Sequence, residues 1–307
     1  MKWRPIILGC AVCSACAVAN NQPQAQELEI RRWNQLPINQ NFVTLNYGHT
    51  SGEIALDPVL QIENASLEMD TWLAAYVRTF AILDKTARLE LRQPWSTGTW
   101  SGLVAGTPTT VHREGFNDTF LRLAINFIGG SPLSGRAYTE YRAKSEIETI
   151  VGAAIGIQLP TGHYLEDKLI NLGSNRFTFR PQLGVEQRYY NWVFELTGTI
   201  FLYTDNESFF GSNRLEQESL VAVDGSVEYD FPGGPWISVS AGIGSGGQSE
   251  VNGVEKDDFR RNFGWSLSAG FPITPSLGLK ATYIGIETLE DIGTSSDTLS
   301  IGLLATW

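Results

Sequence analysis

From Asn41 onward, polar and apolar side chains alternate with a period of two through one segment after another. A period of two is the signature of a strand, whose successive side chains point to opposite faces, and it excludes helices. Leu121, Leu123, Ile125 and Phe127 alternate with Arg122 and Asn126; Trp192, Phe194, Leu196, Ile200 and Leu202 alternate with Glu195, Thr197 and Thr199. Ile237, Val239, Ala241 and Ile243 alternate with Ser238, Ser240 and Gly242, and the closing stretch DTLSIGLLATW sets Leu299, Ile301, Leu303, Ala305 and Trp307 against Thr298, Ser300 and Gly302. Twelve such segments can be marked between Asn41 and Trp307. Many segments of about ten residues, each weak alone, are what a transmembrane barrel requires, and single-chain bacterial barrels have an even strand number.

The connections test the assignment independently. With both termini in the periplasm, inner turns should be short and outer loops long. Short links fall at LDK (Leu83), YYN (Tyr189), PGGP (Pro232) and ITPS (Ile273), with one long inner link, GGSPLSGRAYTEYRAK. Outer loops are expected near Thr50, Pro94, Pro160, Thr204, Gly246 and Glu287. The chain is therefore read as all-β, a single antiparallel transmembrane β-barrel. A soluble sandwich also alternates, but it places its charges outward and seldom has so many long segments. Charged residues make up only 18% of the chain, and the formal charge of −11 excludes a nucleic-acid surface, which needs clustered Lys and Arg.

Lys2 and Arg4, the apolar run from Ile6 to Val18 and small residues at Ala17 and Ala19 have the layout of a secretory signal. The expected organisation is a signal peptide over 1–19 (cleavage alternatively after Ala25), an N-terminal periplasmic segment over 20–40 and a barrel over 41–307. Cys10, Cys13 and Cys16 all lie in the signal, so the mature chain has no thiol. Downstream, no apolar run is long enough for a transmembrane helix. Trp307 is expected at the inner headgroup level with Trp192, Trp236 and Phe271, as an aromatic girdle.

Several stretches resemble a bacterial outer-membrane family linked to the meta-pathway of phenol degradation, whose members are often labelled transporters. They are RRWNQLP at Arg31, ALDPVLQIENASLEM at Ala55, SGLVAG at Ser101, LPTGHYLEDKLINLGSNRFTFRPQLG at Leu159 and LYTDNESFFG at Leu202. The chain departs from the family pattern at Phe177 and Gln182, where Trp and Glu are preferred. The resemblance implies an integral barrel of the bacterial outer membrane, associated with uptake of aromatic compounds, and defines no catalytic residues. The ending on an aromatic strand resembles the signal by which the barrel-assembly machinery recognises its clients.

The charged inward set comprises Arg78, Arg88, Glu90, Arg92, Arg122, Glu148, Arg180, Glu186, Arg188, Glu195, Glu228 and Lys280. It suits a lined path for a small solute equally with a salt-bridged network that closes the lumen. On the second strand Leu67, Met69, Thr71, Leu73, Ala75 and Val77 are expected to face lipid. A turn centred on Asp84 then sets Arg78 opposite Glu90 and Tyr76 opposite Arg92. In the outer loop after Pro160, His163, Tyr164, Asp167, Lys168, Asn175 and Arg176 are candidates to bind a solute, or to form a folded cap. Trp95 and Trp100 lie in another expected outer loop. The three histidines, His49, His112 and His163, form no nucleophile–base pattern, so no enzyme, metal or cofactor is expected. The expected partners are outer-membrane lipid, a small, hydrophobic or aromatic solute and the assembly machinery. The alternative is a closed structural or interaction barrel without transport.

Overall fold

The alternation does build a cylinder. The computed structural model describes residues 28–55 and 62–307. The expected signal peptide, its cleavage sites and cysteines, and residues 20–27 of the expected periplasmic segment lie outside them. The wall runs through β1 (Asn41–Ala55), β2 (Ile62–Ile82), β3 (Lys85–Val104), β4 (Thr107–Phe116) with β5 (Thr119–Ile128), β6 (Ile147–Leu159), β7 (Thr178–Tyr189) and β8 (Trp192–Tyr203). After the short β9 (Asn206–Phe209) and β10 (Asn213–Gln217) come β11 (Leu220–Asp230) and β12 (Trp236–Gly246). After β13 (Ser249–Val251) and β14 (Val254–Glu255), the wall finishes with β15 (Arg260–Thr274), β16 (Leu277–Thr288) and β17 (Gly293–Thr306).

β4 and β5 occupy one place in the wall, β4 pairing with the outer half of β3 and β5 with its inner half, so the barrel has twelve places, as the sequence implies. Each wall strand pairs antiparallel with the next, and β1 pairs with β17 from Phe42↔Thr306 to Ala55↔Gly293. Asn41 and Trp307 complete the seam by exchanging backbone hydrogen bonds of 2.9 and 3.2 Å. Closure removes the unpaired edges that lipid could not satisfy.

Outward positions such as Leu45, Leu123, Leu183, Leu196, Val223, Val239, Leu267 and Leu299 are exposed on the wall. That is the band a barrel presents to hydrocarbon. At the inner rim Trp192, Tyr229 and Phe231 meet edge to face, with centroids 4.8 and 4.9 Å apart, and Phe271 and Trp307 are exposed. Trp236, expected in this girdle, instead points into the barrel and is buried, with the Arg31 guanidinium 4.6 Å above its ring. It is the first residue of β12 and shares an inward parity with Ser238 and Ser240.

Two further expectations are corrected. On β2 the faces are reversed: Leu67, Met69, Thr71, Leu73, Ala75 and Val77 are buried inside, while Trp72, Tyr76 and Arg78 point outward. The cause is the turn. Leu83 and Asp84, with φ of 48° and 56°, form a two-residue loop between Ile82 and its partner Lys85, not a three-residue one. A shift of one residue in register inverts every side chain. Val77 therefore opposes Glu90, Arg78 opposes Leu89 and Tyr76 opposes Leu91, so the expected Arg78–Glu90 and Tyr76–Arg92 pairs do not exist. Arg78 donates to Asn41 Oδ1 at 3.1 Å and is no part of the lumen lining. The loop expected at Pro94 is also strand: β3 continues to Val104 and returns as β4, carrying Trp95 and Trp100. Pro94 sits where β3 changes partner from β5 to β4, and its carbonyl accepts from Asn117 N at 3.1 Å. A proline is tolerated at such a break in the ladder.

Outside, β9, β10, β13 and β14 form a separate four-stranded sheet above the wall. The long inner link carries a ten-residue helix, α1 (Gly135–Lys144).

Candidate functional site

The lumen is not an open tube. Residues 28–37, within the 20–40 segment that the sequence suggests is periplasmic, run inside it and are all buried. The run enters at the inner rim, where Ile38 N bonds Leu133 O and Asn39 N bonds Thr79 O, both at 2.9 Å. It ends against β16, three places from β2 round the wall, where Leu28 packs on Ile284 and Ile286. No strand could form here, because all wall edges are already paired. The backbone donors are met by wall side chains instead, as burial demands.

Glu186 and Glu195 face each other directly across β7 and β8, both pointing inward. Two carboxylates in register repel, and the plug offers them donors. Glu195 accepts from Arg32 N at 3.2 Å and Trp33 N at 3.0 Å. The Asn34 amide, oriented so that both groups are satisfied, donates to Glu186 at 2.9 and 3.0 Å. Arg31 donates to Glu228 through Nε at 2.8 Å and contacts Asp230 at 2.6 Å, while Arg188 holds the other Asp230 oxygen at 2.8 Å. Arg32 reaches Asp224 at 3.2 Å. On the far wall the fully buried Glu90 carboxylate gathers Arg88 at 3.4 Å and Arg92 and Arg122 at 3.0 Å, and Arg92 also pairs with Glu29 of the plug.

Trp33 is the anchor. Its ring is wholly buried against Ala124 and Ile150, its Nε1 donates to Thr197 Oγ1 at 2.9 Å, and the Arg122 guanidinium lies 5.1 Å from its ring. The ring needs glycines below it. Gly152 and Gly184 are partners across β6 and β7, and a Cβ on Gly184 would lie 2.0 Å from Trp33 Nε1.

Of the expected luminal residues, Arg88, Glu90, Arg92, Arg122, Glu148, Arg180, Glu186, Arg188, Glu195 and Glu228 point inward and are buried. Lys280 also points inward, its Nζ 6.0 Å from the Trp236 ring. Glu148 is taken by α1, accepting from Tyr141 and Arg142 at 2.7 Å each. The residues missed are Glu29, Arg31, Arg32, Trp33, Asp224 and Asp230. The run of two arginines and a tryptophan in RRWNQLP was the available signal, since charges and an aromatic in a segment without strand pairing need a partner surface.

The outer loop over 160–177 is folded onto the β4–β5 break. Asp118 organises it, accepting from Gln158 and from the backbone of Gly162 and Ser174, each at 2.9 Å. The expected loop residues separate. Tyr164 donates to Ser208 O at 3.0 Å, Asn175 donates to Asn206 at 2.9 Å and Arg176 donates to Gln217. Burial pushes the Tyr164 hydroxyl up. Asp167 and Lys168 pair with each other at the surface at 2.7 Å, which holds the Asp167 carboxyl below its ordinary value. His163 is exposed beside β4, its Nδ1 3.2 Å from Glu114 O.

A closed twelve-place antiparallel barrel with a greasy belt outside and a charged lumen is the architecture of an outer-membrane β-barrel. The chain belongs to the family described as "Putative MetA-pathway of phenol degradation", whose model matches residues 43–299. Its fold is similar to that of an outer membrane channel from Pseudomonas putida F1, with a TM-score of 0.73, 19% identity and coverage of 92% of this chain and 100% of that one. The β-domain of the Bordetella autotransporter BrkA gives a TM-score of 0.45 at 10% identity, covering 88% of this chain and 100% of that chain. The transport unit of the Escherichia coli autotransporter AIDA-I gives 0.48 at 8%, covering 87% and 90%. No curated protein matches the chain.

Proposed function

We propose that this protein is a channel of the bacterial outer membrane for small hydrophobic or aromatic compounds, with residues 28–37 as a plug set across its lumen. The observation that carries the reading is a polar, charge-lined interior inside a lipid-facing wall, filled by a segment held through side-chain bonds instead of strand pairing. Such bonds can exchange for water without opening the wall. The aromatic character of the solute rests on the family description. The partners are membrane lipid, the solute and the assembly machinery, which would engage the C-terminal strand.

The complete burial of Arg32 and Trp33 favours a second reading, a closed structural barrel. Conductance in planar bilayers separates the two. A channel conducts more when Arg31→Ala and Arg32→Ala free the plug, and a closed structural barrel shows no solute-dependent current in either form.

A further inference from the structure

The arginines that point into the barrel differ in how their charge is met. Arg31, Arg32, Arg88, Arg92, Arg122 and Arg188 each lie within ion-pair distance of a carboxylate. Arg180 donates to Gln158 and lies over the Phe120 and Phe201 rings, whereas Arg176 and Arg260 have no carboxylate within ion-pair distance among the described residues. Arg176, two residues before β7, is 6% exposed and among the described residues has only the neutral Gln217 side chain as its hydrogen-bond acceptor, which leaves its second terminal nitrogen buried without a partner there. Arg260 opens β15, and one of its terminal nitrogens is likewise buried and unpartnered. Between them stands Tyr203, the last residue of β8, whose ring centre is 4.6 Å from the Arg176 guanidinium and whose buried hydroxyl has no partner.

All three lie at the outer ends of their strands, at the mouth of the lumen. The nearby carboxylates are engaged elsewhere: Asp258 accepts from Ser249 N at 2.7 Å and Ser249 Oγ at 2.6 Å, and Asp205 pairs with Arg214. Burial, helped by the like charge of Arg260, pushes the Arg176 guanidinium down to about 10. Two guanidiniums in mutual repulsion, with donors turned inward and unused, lack the negative group that would satisfy them. Arg260 and Tyr203 keep partial exposure, so the cluster is open on one side.

We propose that Arg176, Arg260 and the Tyr203 hydroxyl form an oxyanion site at the outer mouth of the lumen, which takes the carboxylate of a small aromatic acid. The planar fork of a guanidinium matches a carboxylate, and a phenol hydroxyl adds a third donor. The site deepens the channel reading and rests on it for the identity of its ligand as a solute. It would select acids over neutral phenols at the point of entry.

Calorimetry on the folded full-length barrel in detergent tests this, with sodium benzoate, benzyl alcohol as the neutral counterpart and inorganic phosphate as probes. Benzoate should bind, and benzyl alcohol should bind at least about tenfold more weakly. Arg176→Gln and Arg260→Gln should each weaken benzoate by roughly 10- to 100-fold, the loss expected for one charged hydrogen bond, and leave benzyl alcohol unchanged. Tyr203→Phe, which keeps the packing, should weaken benzoate several-fold and serves if a Gln variant does not fold. Benzoate binding that is absent, or indifferent to all three changes, overturns the site. Phosphate bound in preference to benzoate overturns the carboxylate assignment. Because binding in detergent needs no passage, lost binding with retained conductance refutes this site alone, and retained binding without conductance refutes the channel reading alone.

Discussion

Replacing Gly184 with Ala should release the plug while leaving the wall closed. A Cβ at this position would lie 2.0 Å from Trp33 Nε1 and 2.4 Å from Cε2. Comfortable contacts are about 3.5 Å or more, so the ring must retreat by about 1.5 Å. It has no room to do so: Ala124 and Ile150 pack against it, and the partner Gly152 lies close enough that its own Cβ would meet Cε3 at 2.4 Å. Retreat also breaks the 2.9 Å bond to Thr197. Overpacking costs about 1–3 kcal/mol and the hydrogen bond about 1 kcal/mol, so docking weakens by about 2–4 kcal/mol. The wall keeps its ladder, since Gly184 pairs with Gly152 and Thr197 through the backbone alone.

At about 1.4 kcal/mol per tenfold, the undocked population should rise by roughly 30- to 700-fold. A thiol reports this directly. Gln35 is buried in the plug, and the described residues contain no cysteine. In a Gln35→Cys background, maleimide labelling of the folded barrel should accelerate by that factor with Gly184→Ala. Gly198→Ala, where an added Cβ meets nothing within 4 Å, should leave the rate unchanged. The reasoning is refuted if Gly184→Ala labels no faster than Gly198→Ala, or if the barrel itself loses stability by the same amount.

Leu267 is half exposed on the outer face of β15, so Leu267→Arg should lower stability in a lipid-vesicle folding titration by roughly 2–4 kcal/mol. Arg in place of the inward Ser268 should cost less, and equal losses would contradict the face assignment. The β2–β3 register predicts that Arg78→Cys with Leu89→Cys crosslinks on oxidation, whereas Arg78→Cys with Glu90→Cys does not, because those side chains point to opposite faces. Gel mobility after oxidation decides between them. Asp118→Ala strips acceptors from Gly162, Ser174 and Gln158 at a local cost of about 1–3 kcal/mol. Hydrogen exchange should then speed up across the loop over 160–177 and stay unchanged at the β1–β17 seam; uniform exchange would show that the loop is not an independent unit.

The wall was legible because lipid outside enforces a sharp rule on side-chain parity. Leu121 to Phe127, Trp192 to Leu202 and Leu299 to Leu303 could each be read residue by residue, since an outward polar group at that depth has no partner. The inward charges of β3 and β5 to β8 followed by parity. The sequence did not disclose which charges meet: Glu186 opposite Glu195 depends on the β7–β8 register, and their common donor, the plug, lies more than 150 positions away in the chain. The Arg176–Tyr203–Arg260 cluster was hidden for the same reason, since its members, from the loop before β7, the end of β8 and the start of β15, lie far apart in the chain.

The reversal on β2 and the concealment of the plug have one cause. Parity distinguishes inside from outside only if the inside is wet, so that apolar means lipid. At the base of β2 the inside is dry, because Val77 packs with Leu36 of the plug and with Phe42 and Leu304, and Thr79 Oγ1 donates to Pro37 O at 2.6 Å. Further up, Leu67 and Met69 point inward against Ile54 and Trp100. The outward Glu68 and Asp70 sit on the outer half of the strand, where Tyr47 and His49 meet Asp70 at 2.6 and 2.9 Å, so their charge carries no information about the lumen. A strand with grease on the inner face and acids on the outer face therefore marks the wall against which a plug is rooted. By that logic the apolar inward pair Ile284 and Ile286 on β16 marks the second landing place, and there Leu28 is found.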